Sequence, residues 1–289
     1  MKETNKKVSI VIPTYNRADY LKQAIDAALA QTYECEIVVC DHGSTDATPQ
    51  VAQTYGDRIK HIRRENDNGI HFMWLDGIVH AGGDFIHINF DDDWVAPNFI
   101  AKTIEIFEDD VSFVFTAVKV MDGGNGKQIT ELFKNQYKTG LHDNSIVEKY
   151  LLMPGSVISP GCGIHRKSDL LDSLFVGKIP GAKYSYRGVG PDLLFSLLPL
   201  LNTKRFGFVN EPLAYFRAHD GSITIGSRKD SQNSEKFVLA YNEAKKFYLN
   251  LKLARFTKID TVLFWVQNHV VTLSYRIAKR IMKLVRKPE

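Results

Sequence analysis

Three consecutive aspartates, Asp91 to Asp93, are the residues whose type and spacing most directly suggest chemistry in this chain. They follow the apolar run DFIHINF and precede Trp94. Carboxylates on a sharp turn supply the hard oxygen ligands that Mg²⁺ or Mn²⁺ prefers, and such a cation can bridge the oxygens of a diphosphate. The alternative is a solvated acidic turn in which one aspartate caps a helix starting near Pro97. The triplet alone favours the acidic turn, and its position directly after an apolar strand leaves both interpretations open.

Two further polar segments, PTYNR and DHGSTD, also follow apolar runs. Ligands of parallel sheets bind beyond the carboxyl ends of the strands, which is where all three segments would lie. There, Asp41 could accept a hydrogen bond from the imide N–H of uracil, and Tyr15 could stack on the base. Both could equally be turn residues, and Asp46 is expected to cap the next helix. Neither GxGxxG nor GxxxxGK[ST] follows the first strand, so those two phosphate-binding loops are excluded.

The elements that must position these residues alternate along the first hundred residues. Strand patterns cover Val8 to Ile12, Glu36 to Cys40, Ile59 to Ile62 and Asp84 to Phe90, and helix patterns cover Tyr20 to Gln31, Asp46 to Gln53 and Ile70 to His80. This alternation predicts an α/β fold with a mostly parallel sheet and helices on both faces. Further along we expect a strand over Val111 to Val120, a strand pair over residues 206–216, and helix from about residue 232.

Composition and charge limit the classes of protein that this chain can be. With 289 residues, 44% of them hydrophobic, the chain can bury a substantial core. The three cysteines form no CxxC pair, which favours a reduced compartment over a disulfide framework or a zinc site. No signal-peptide core is expected at the N-terminus, and the longest apolar stretch elsewhere, Val262 to Tyr275, is too short and polar to span a bilayer.

Positive charge is concentrated at the C-terminal end. Residues 245–289 hold 11 Lys and Arg against two acidic residues, a formal charge of +9, whereas the remaining residues hold 26 against 31, a charge of −5. Apolar residues from Ile259 to Leu284 recur every three or four positions, which predicts an amphipathic helix. A basic amphipathic helix with Phe264 and Trp265 is typical of a segment that lies on an anionic membrane. The alternative is packing against the catalytic domain or a second subunit.

The order SIVIPTYNR, VVCDHGSTD and GGDFIHINFDDDW resembles the family-2 inverting glycosyltransferases of the GT-A fold, of the bacterial surface-glycan type. The resemblance covers roughly residues 8–225. It implies a GT-A-like, mostly parallel nucleotide-binding sheet flanked by helices, with a C-terminal helical appendage. It also implies a catalytic domain over residues 1–228, whose donor-nucleotide half ends near residue 100, and a helical, basic segment over 229–289.

The resemblance also assigns expected roles to particular residues. Pro13, Tyr15 and Asp41 match nucleoside-binding positions, and Asp91 and Asp92 are expected at the donor. Asp92 and Asp93 match the acidic motif that holds Mn²⁺ or Mg²⁺. GPDLLFSLLPL resembles the segment in which the catalytic base opens a helix, which indicates Asp192. FRAHDGSIT resembles the closing motif, which makes His219 a further metal ligand and Arg217 a phosphate or acceptor contact.

Alternatives and departures remain at these positions. Asp192 could be an ordinary carboxylate of a first helical turn, with Glu211 and Asp169 the next candidates for the base, and His219 could be a turn residue. Pro191 stands where the family often has Glu, and Trp74-Leu75 stand where it often has Arg-Asn. These two departures keep open the rival hypothesis of a catalytically silent relative that binds a sugar nucleotide or acts as a scaffold in glycan assembly. A sugar nucleotidyltransferase is disfavoured because PTYNRADY lacks glycine.

The function expected from this resemblance is a metal-dependent, inverting sugar transfer from a nucleotide-diphosphate sugar, with a UDP-sugar as the expected donor. The acceptor would be a hydroxyl of a glycan or lipid-linked saccharide in cell-surface polysaccharide assembly, such as lipopolysaccharide or capsule. We expect a cytoplasmic, peripheral protein at the inner face of the membrane. An oligomer is compatible with the sequence, and no nucleic-acid partner is expected.

Overall fold

The computed structural model describes residues 6–184, 188–219, 221–222 and 231–255, with Ser231 and Gln232 described by their backbone alone. Its strands are β1 (Val8–Thr14), β2 (Cys35–His42), β3 (Lys60–Arg64), β4 (Phe85–Ile88), β5 (Trp94–Val95), β6 (Val111–Asp122), β7 (Gln128–Leu132), β8 (Gly140–Asp143), β9 (Gly163–Arg166) and β10 (Arg205–Ala218). Its α-helices are α1 (Ala18–Leu29), α2 (Thr48–Gln53), α3 (Ile70–His80), α4 (Phe99–Ile106), α5 (Asn144–Leu152), α6 (Lys167–Ser173), α7 (Pro191–Leu197) and α8 (Ser231–Ala254).

The N-terminal part of the sheet is parallel, as the alternating pattern predicts. The strand order is β3-β2-β1-β4, and each neighbouring pair runs parallel. Every residue of β1 is buried, because helices cover both faces of this part of the sheet. Val11, Val38, Ile86, Trp74 of α3 and Phe195 of α7 belong to one core cluster. Each predicted strand and helix of the first hundred residues is present, with ends shifted by a few residues.

The second part of the sheet is mixed. The order continues β4-β9-β6-β10-β5, in which β6 and β10 pair in parallel while β9 runs antiparallel to both β4 and β6. Two further strands, β7 and β8, pair antiparallel with β6 and β10. The prediction of an α/β fold is therefore confirmed, whereas the sheet as a whole is mixed because it includes short antiparallel strands that the sequence pattern did not indicate.

Residues 206–216 form part of one strand rather than the predicted strand pair. β10 runs continuously from Arg205 to Ala218 and remains paired with β6 along its length. Its register shifts on either side of Pro212, which has no backbone N–H to donate to the ladder. The proline therefore marks a local irregularity, and its neighbour Glu211 lies within a strand instead of at a turn between two strands.

The C-terminal end of the described chain is helical, in agreement with the sequence. The chain divides into two compact units between Lys245 and Lys246, a boundary that falls within the sequence of α8. The expected domain boundary at 228/229 stays a prediction, because residues 223–230 lie outside the described residues. The predicted basic amphipathic stripe from Ile259 to Leu284 also lies outside them. Within the part of the chain that is described, no helix is long and apolar enough to cross a bilayer.

Candidate active site

The three polar segments singled out in the sequence meet at the carboxyl edge of the parallel strands. β1 and β2 pair so that Thr14 is opposite Asp41, at the point where PTYNR and DHGSTD begin. Beyond β4, the amide of Asn89 donates to the carbonyl of Val11 over 2.9 Å, which holds the start of the aspartate segment beside β1. Residues separated by up to 80 positions thus form one edge, as expected for a parallel sheet.

Asn16 locks the first two of these segments together. Its backbone has a φ of 52°, a left-handed conformation that asparagine tolerates better than most residues. Its side-chain oxygen accepts from the amide of Thr45 at 2.8 Å, and its own amide donates to the Ser44 hydroxyl at 2.9 Å. The Asp46 carboxylate accepts from the amide of Thr48 at 2.9 Å at the start of α2, although the N-cap residue of this helix is Ala47 and not Asp46 as predicted. These bonds fix the loop that surrounds Asp41.

Asp41 is fully buried and only half satisfied. One carboxylate oxygen, Oδ1, accepts from the amide of Ser44 at 3.0 Å. The other, Oδ2, has no hydrogen-bond partner among the described residues. A buried carboxylate oxygen without a donor is costly, so this atom is a place where a ligand N–H would be stabilising. Nearby in the chain, Pro13 is buried and Tyr15 is 39% exposed, consistent with a side chain available to a ligand.

The aspartate triplet forms a turn whose members have different partners. Asp92 Oδ2 lies 2.9 Å from Nε2 of His219, a residue 127 positions later in the chain. Asp93 Oδ1 accepts from the amide of Arg217 at 2.9 Å. Burial and the charge of Asp92 raise the pKa of Asp91 to about 7 and the pKa of Asp93 well above its usual value. The three carboxyl groups of the turn therefore oppose one another's ionisation, and a cation bound beside them would favour their charged forms.

Arg217 connects this turn to α1, a contact that sequence reasoning did not identify. Its guanidinium carbon lies 4.9 Å from the ring centres of both Tyr20 and Trp94, a cation–π arrangement on two sides. Its Nε donates to the Asp92 carbonyl at 3.0 Å, and its Nη2 donates to Gln23. The Tyr20 ring also lies 5.0 Å from the His219 ring. Tyr20 and Gln23 are three residues apart and lie on one face of α1. The sequence shows this spacing but does not indicate that Arg217 contacts both residues.

Asp92 and His219 have donor chemistry that suits Mn²⁺ or Mg²⁺. A carboxylate oxygen and an imidazole nitrogen converge within hydrogen-bonding distance, and both side chains remain partly open, 19% and 10% exposed. Across the described residues, no three His, Cys, Asp or Glu side chains converge as a metal cluster. A cation at this position would have Asp92 and His219 as a partial ligand set and would need further oxygen ligands, such as those of a diphosphate or water.

Asp192 opens α7 and is held by three donors. Its Oδ1 accepts from the amides of Gly190 at 2.8 Å and Leu193 at 2.9 Å, and its Oδ2 accepts from the Tyr241 hydroxyl at 2.9 Å. Burial raises the pKa of Asp192 to about 6, although these hydrogen bonds act in the opposite direction. A carboxylate with a pKa near neutrality is suited to accept a proton. Pro191 begins the helix, where a proline is well tolerated.

The two other candidates for the base are engaged elsewhere. Glu211 forms an ion pair with Lys102. Asp169 lies 3.5 Å from Arg166, and burial raises the pKa of Asp169.

Trp74, at the position where the family often has Arg, is 2% exposed and packs edge-on against Phe195, with the ring centres 5.4 Å apart. The indole therefore belongs to the core of this chain and does not replace an arginine at the donor.

Comparison of the sequence with known proteins finds glycosyltransferases. The family model described as Glycosyl transferase family 2 matches residues 9–170, more than half of the chain. An uncharacterized glycosyltransferase of Rickettsia typhi is 43% identical over 100 residues, which cover 34% of this chain and 31% of that protein. The putative glycosyltransferase EpsH of Bacillus subtilis is 25% identical over 282 residues, covering 89% of this chain and 74% of that protein. The chain spans less than a third of the length of the Rickettsia relatives.

Solved structures agree on the fold. S. aureus TarS in complex with UDP-GlcNAc superposes with a TM-score of 0.64 at 19% identity, covering 89% of this chain and 70% of that one. The mannosyltransferase PcManGT of Pyrobaculum calidifontis, in complex with GDP-Man and Mn²⁺, has a TM-score of 0.54 at 16% identity, covering 94% of this chain and 82% of that one. The chain thus has the GT-A fold of these enzymes, and it belongs to glycosyl transferase family 2.

Proposed function

We propose that the protein is an inverting, metal-dependent glycosyltransferase that takes its sugar from a UDP-sugar. The observation that carries the donor assignment is the buried, unpartnered Oδ2 of Asp41. Uracil has an imide N–H that can donate to this oxygen, whereas the corresponding ring nitrogen of cytosine is an acceptor and would be repelled. Tyr15 supplies an exposed ring next to the same loop, suited to stacking on a base.

Asp92 and His219 would hold Mn²⁺ or Mg²⁺, with Asp93 completing the acidic motif. When bound, the cation supplies Lewis-acid stabilisation of the charge that develops on the departing diphosphate. The chain itself adds positive charge near this position through Arg217, which its contacts with Tyr20 and Trp94 hold in place. A fixed guanidinium beside a diphosphate stabilises developing charge without reorganisation during the reaction.

Asp192 is the base in this proposal. The oxygen of the acceptor hydroxyl attacks the anomeric carbon, the bond from that carbon to the diphosphate oxygen breaks, and the hydroxyl proton passes to Asp192 while UDP departs. Such base catalysis contributes typically about 10²–10⁴-fold. A single displacement with one base opposite the leaving group inverts the anomeric centre, so an α-linked UDP-sugar gives a β-glycoside. The proposed acceptor is a glycan or lipid-linked saccharide of cell-surface polysaccharide assembly, met by a peripheral protein at the cytoplasmic face of the membrane.

A catalytically silent sugar-nucleotide-binding protein is the second candidate, favoured by the burial of Trp74 in the core where the family often has an arginine. Turnover separates the two candidates, because a silent relative binds the nucleotide without releasing it as product.

The test is a thermal-shift screen against UDP, GDP, CDP and dTDP, with and without Mn²⁺, followed by measurement of UDP release from UDP-sugars. A bound ligand stabilises the native state by RT ln(1 + [L]/Kd). We expect UDP with Mn²⁺ to give the largest shift, dTDP to follow because it has the same imide N–H, and CDP to give little. UDP release should stop in EDTA and return with Mn²⁺. A larger shift with GDP would refute the uridine assignment, and undiminished release in EDTA would refute the metal.

A further inference from the structure

The catalytic carboxylate proposed above receives one of its hydrogen bonds from far along the chain. Tyr241 lies on α8, 49 residues after Asp192, and its hydroxyl donates to Asp192 Oδ2 at 2.9 Å. The Tyr241 side chain is buried, with 8% of its surface exposed. Burying a tyrosine hydroxyl is unfavourable without a partner, and here the partner is the carboxylate. The hydrogen bond between Tyr241 and Asp192 therefore lies in the protein interior and satisfies a buried hydroxyl group.

The loop before Asp192 is shaped to fit α8. Gly190 has a φ of +101°, and a Cβ at this position would lie 2.8 Å from the carbonyl oxygen of Ala240. The backbone of α8 thus approaches the residue whose amide also donates to Asp192. A second contact joins the two segments earlier in the loop, where the amide of Lys183 donates to Glu243 at 3.2 Å. Position 190 accepts only glycine for two reasons, its conformation and this close approach.

Within the described part of the chain, three donors occupy the Asp192 carboxylate and leave one lone-pair position of Oδ2 without a donor. An ionised carboxylate has about four lone-pair positions, two on each oxygen. The amides of Gly190 and Leu193 take the two positions on Oδ1, and the Tyr241 hydroxyl takes one on Oδ2. A proton from an acceptor hydroxyl would be received at the remaining position of Oδ2. Rotation of the carboxylate away from this orientation would break all three hydrogen bonds.

We propose that Tyr241 is a positioning residue for Asp192, which makes the first part of α8, residues 231–245, a component of the catalytic unit. The inference rests on the proposed role of Asp192 as the base. In this arrangement the Tyr241 hydroxyl orients Oδ2 toward the acceptor and stabilises the ionised form of the carboxylate.

The electrostatic consequence has a definite sign. A hydrogen bond donated to the charged form of an acid lowers its pKa, and Tyr241 opposes in this way the larger effect of burial on Asp192. Among the residues that the structure describes, the groups acting on this carboxylate besides Tyr241 on α8 include the main-chain amides of Gly190, Asp192 and Leu193. Loss of the Tyr241 hydroxyl should therefore raise the pKa of Asp192, so that a higher pH is needed to obtain the active base.

The primary test needs no substrate. The full chain is labelled with ¹³C at its aspartate carboxyl groups for NMR, and the Asp192 resonance is identified as the one missing from the spectrum of Asp192→Asn. The chemical shift of this resonance is then followed against pH in the wild type and in Tyr241→Phe. The phenylalanine keeps the ring, whose centre lies 5.0 Å from that of Phe237, and removes only the hydroxyl. We expect the titration midpoint of Asp192, near 6 in the wild type, to move upward by about one pH unit. Phe237→Leu is the matched control, since it perturbs the same helix but keeps the hydroxyl, and its midpoint should not move.

The kinetic arm separates failure of this inference from failure of the proposed function. At pH values below the wild-type Asp192 midpoint, the rate of UDP release by Tyr241→Phe should be about tenfold lower than that of the wild type, and the difference should disappear at higher pH. The rate of UDP release by Asp192→Asn should be lower than that of the wild type at every pH. Near wild-type release by Asp192→Asn would overturn the assignment of the base. An unchanged Asp192 midpoint in Tyr241→Phe, or an equal change in Phe237→Leu, would overturn the role of Tyr241 while leaving the base intact.

Discussion

At the scale of single residues, the proposed nucleoside contact depends on Asp41, whose two carboxylate oxygens have different environments. The Ser44 amide satisfies Oδ1 of Asp41, whereas Oδ2 is buried without a partner. A hydrogen bond donated by a ligand N–H to Oδ2 would satisfy this buried oxygen, which is the basis of the proposed contact with the base.

We expect Asp41→Asn to weaken UDP binding by about tenfold to one hundredfold, corresponding to the roughly 1–3 kcal/mol that an unsatisfied buried polar group costs. The substitution keeps the size of the side chain but can present an amide N–H to the imide N–H of uracil. Isothermal titration calorimetry with UDP measures the change. Asp46→Asn is the matched control, because it lies in the same loop and an asparagine oxygen can still accept from Thr48. Equal weakening in both variants would mean that the loop, not the base contact, had been disturbed.

At the scale of the elements, the site depends on how closely α3 and β4 approach β1. The connection between them contains two adjacent glycines with different surroundings. A Cβ at Gly83 would lie 2.6 Å from the backbone nitrogen of Ser9, while a Cβ at Gly82 would make only ordinary contacts with Glu36, at 3.5 Å or more. The amide of Gly83 also donates to the Ser9 hydroxyl at 2.9 Å. The start of β4, and hence the aspartate turn beyond it, depends on this approach.

Gly83→Ala should therefore lower the free energy of unfolding by about 1–3 kcal/mol, since the added methyl group meets backbone that cannot move aside. Gly82→Ala should change it by less than about 0.5 kcal/mol. Urea unfolding followed by circular dichroism compares the two variants directly. Equal stability of the two would contradict the tight packing of this connection against β1.

At the scale of the whole molecule, charge is segregated along the chain. Residues 245–289 carry a formal charge of +9 and the preceding residues −5. Each basic residue near an anionic membrane contributes about 1 kcal/mol to binding, so the C-terminal end is the part suited to such a surface. In keeping with the proposed function, a contact between this end and the membrane would bring the protein to the surface that holds a lipid-linked acceptor.

The full chain should consequently float with liposomes that contain anionic lipid, and flotation should decrease at high salt because exposed charges are screened. A chain ending at residue 256 lacks the predicted amphipathic segment and should stay in the soluble fraction. Liposomes of neutral lipid serve as the control for apolar attachment alone. If both chains behaved alike, the C-terminal segment would have to pack on protein, either this chain or a second copy.

The sequence by itself determined the parallel half of the sheet and the positions of its ligand-binding loops. Continuous apolar runs such as Val8 to Ile12, alternating with amphipathic runs, indicate strands covered on both faces because side-chain burial follows the local period. Once the strands are parallel, their carboxyl ends must share an edge. Asp41 and the Asp91–Asp93 turn could therefore be assigned to one site before any contact was known.

The family resemblance indicates His219, Arg217 and Asp192, but only the tertiary structure decided which contacts these distant residues make. The approach of His219 to Asp92, the seating of Arg217 between Tyr20 and Trp94, and the bond from Tyr241 to Asp192 join positions 49 or more residues apart. The same holds for β9, a four-residue strand that exists because β4 and β6 pair with it on either side. Local periodicity states which face of an element is buried, but not what buries it. That choice is made by the packing of the whole chain, where a short element is stabilised by its neighbours rather than by its own propensity.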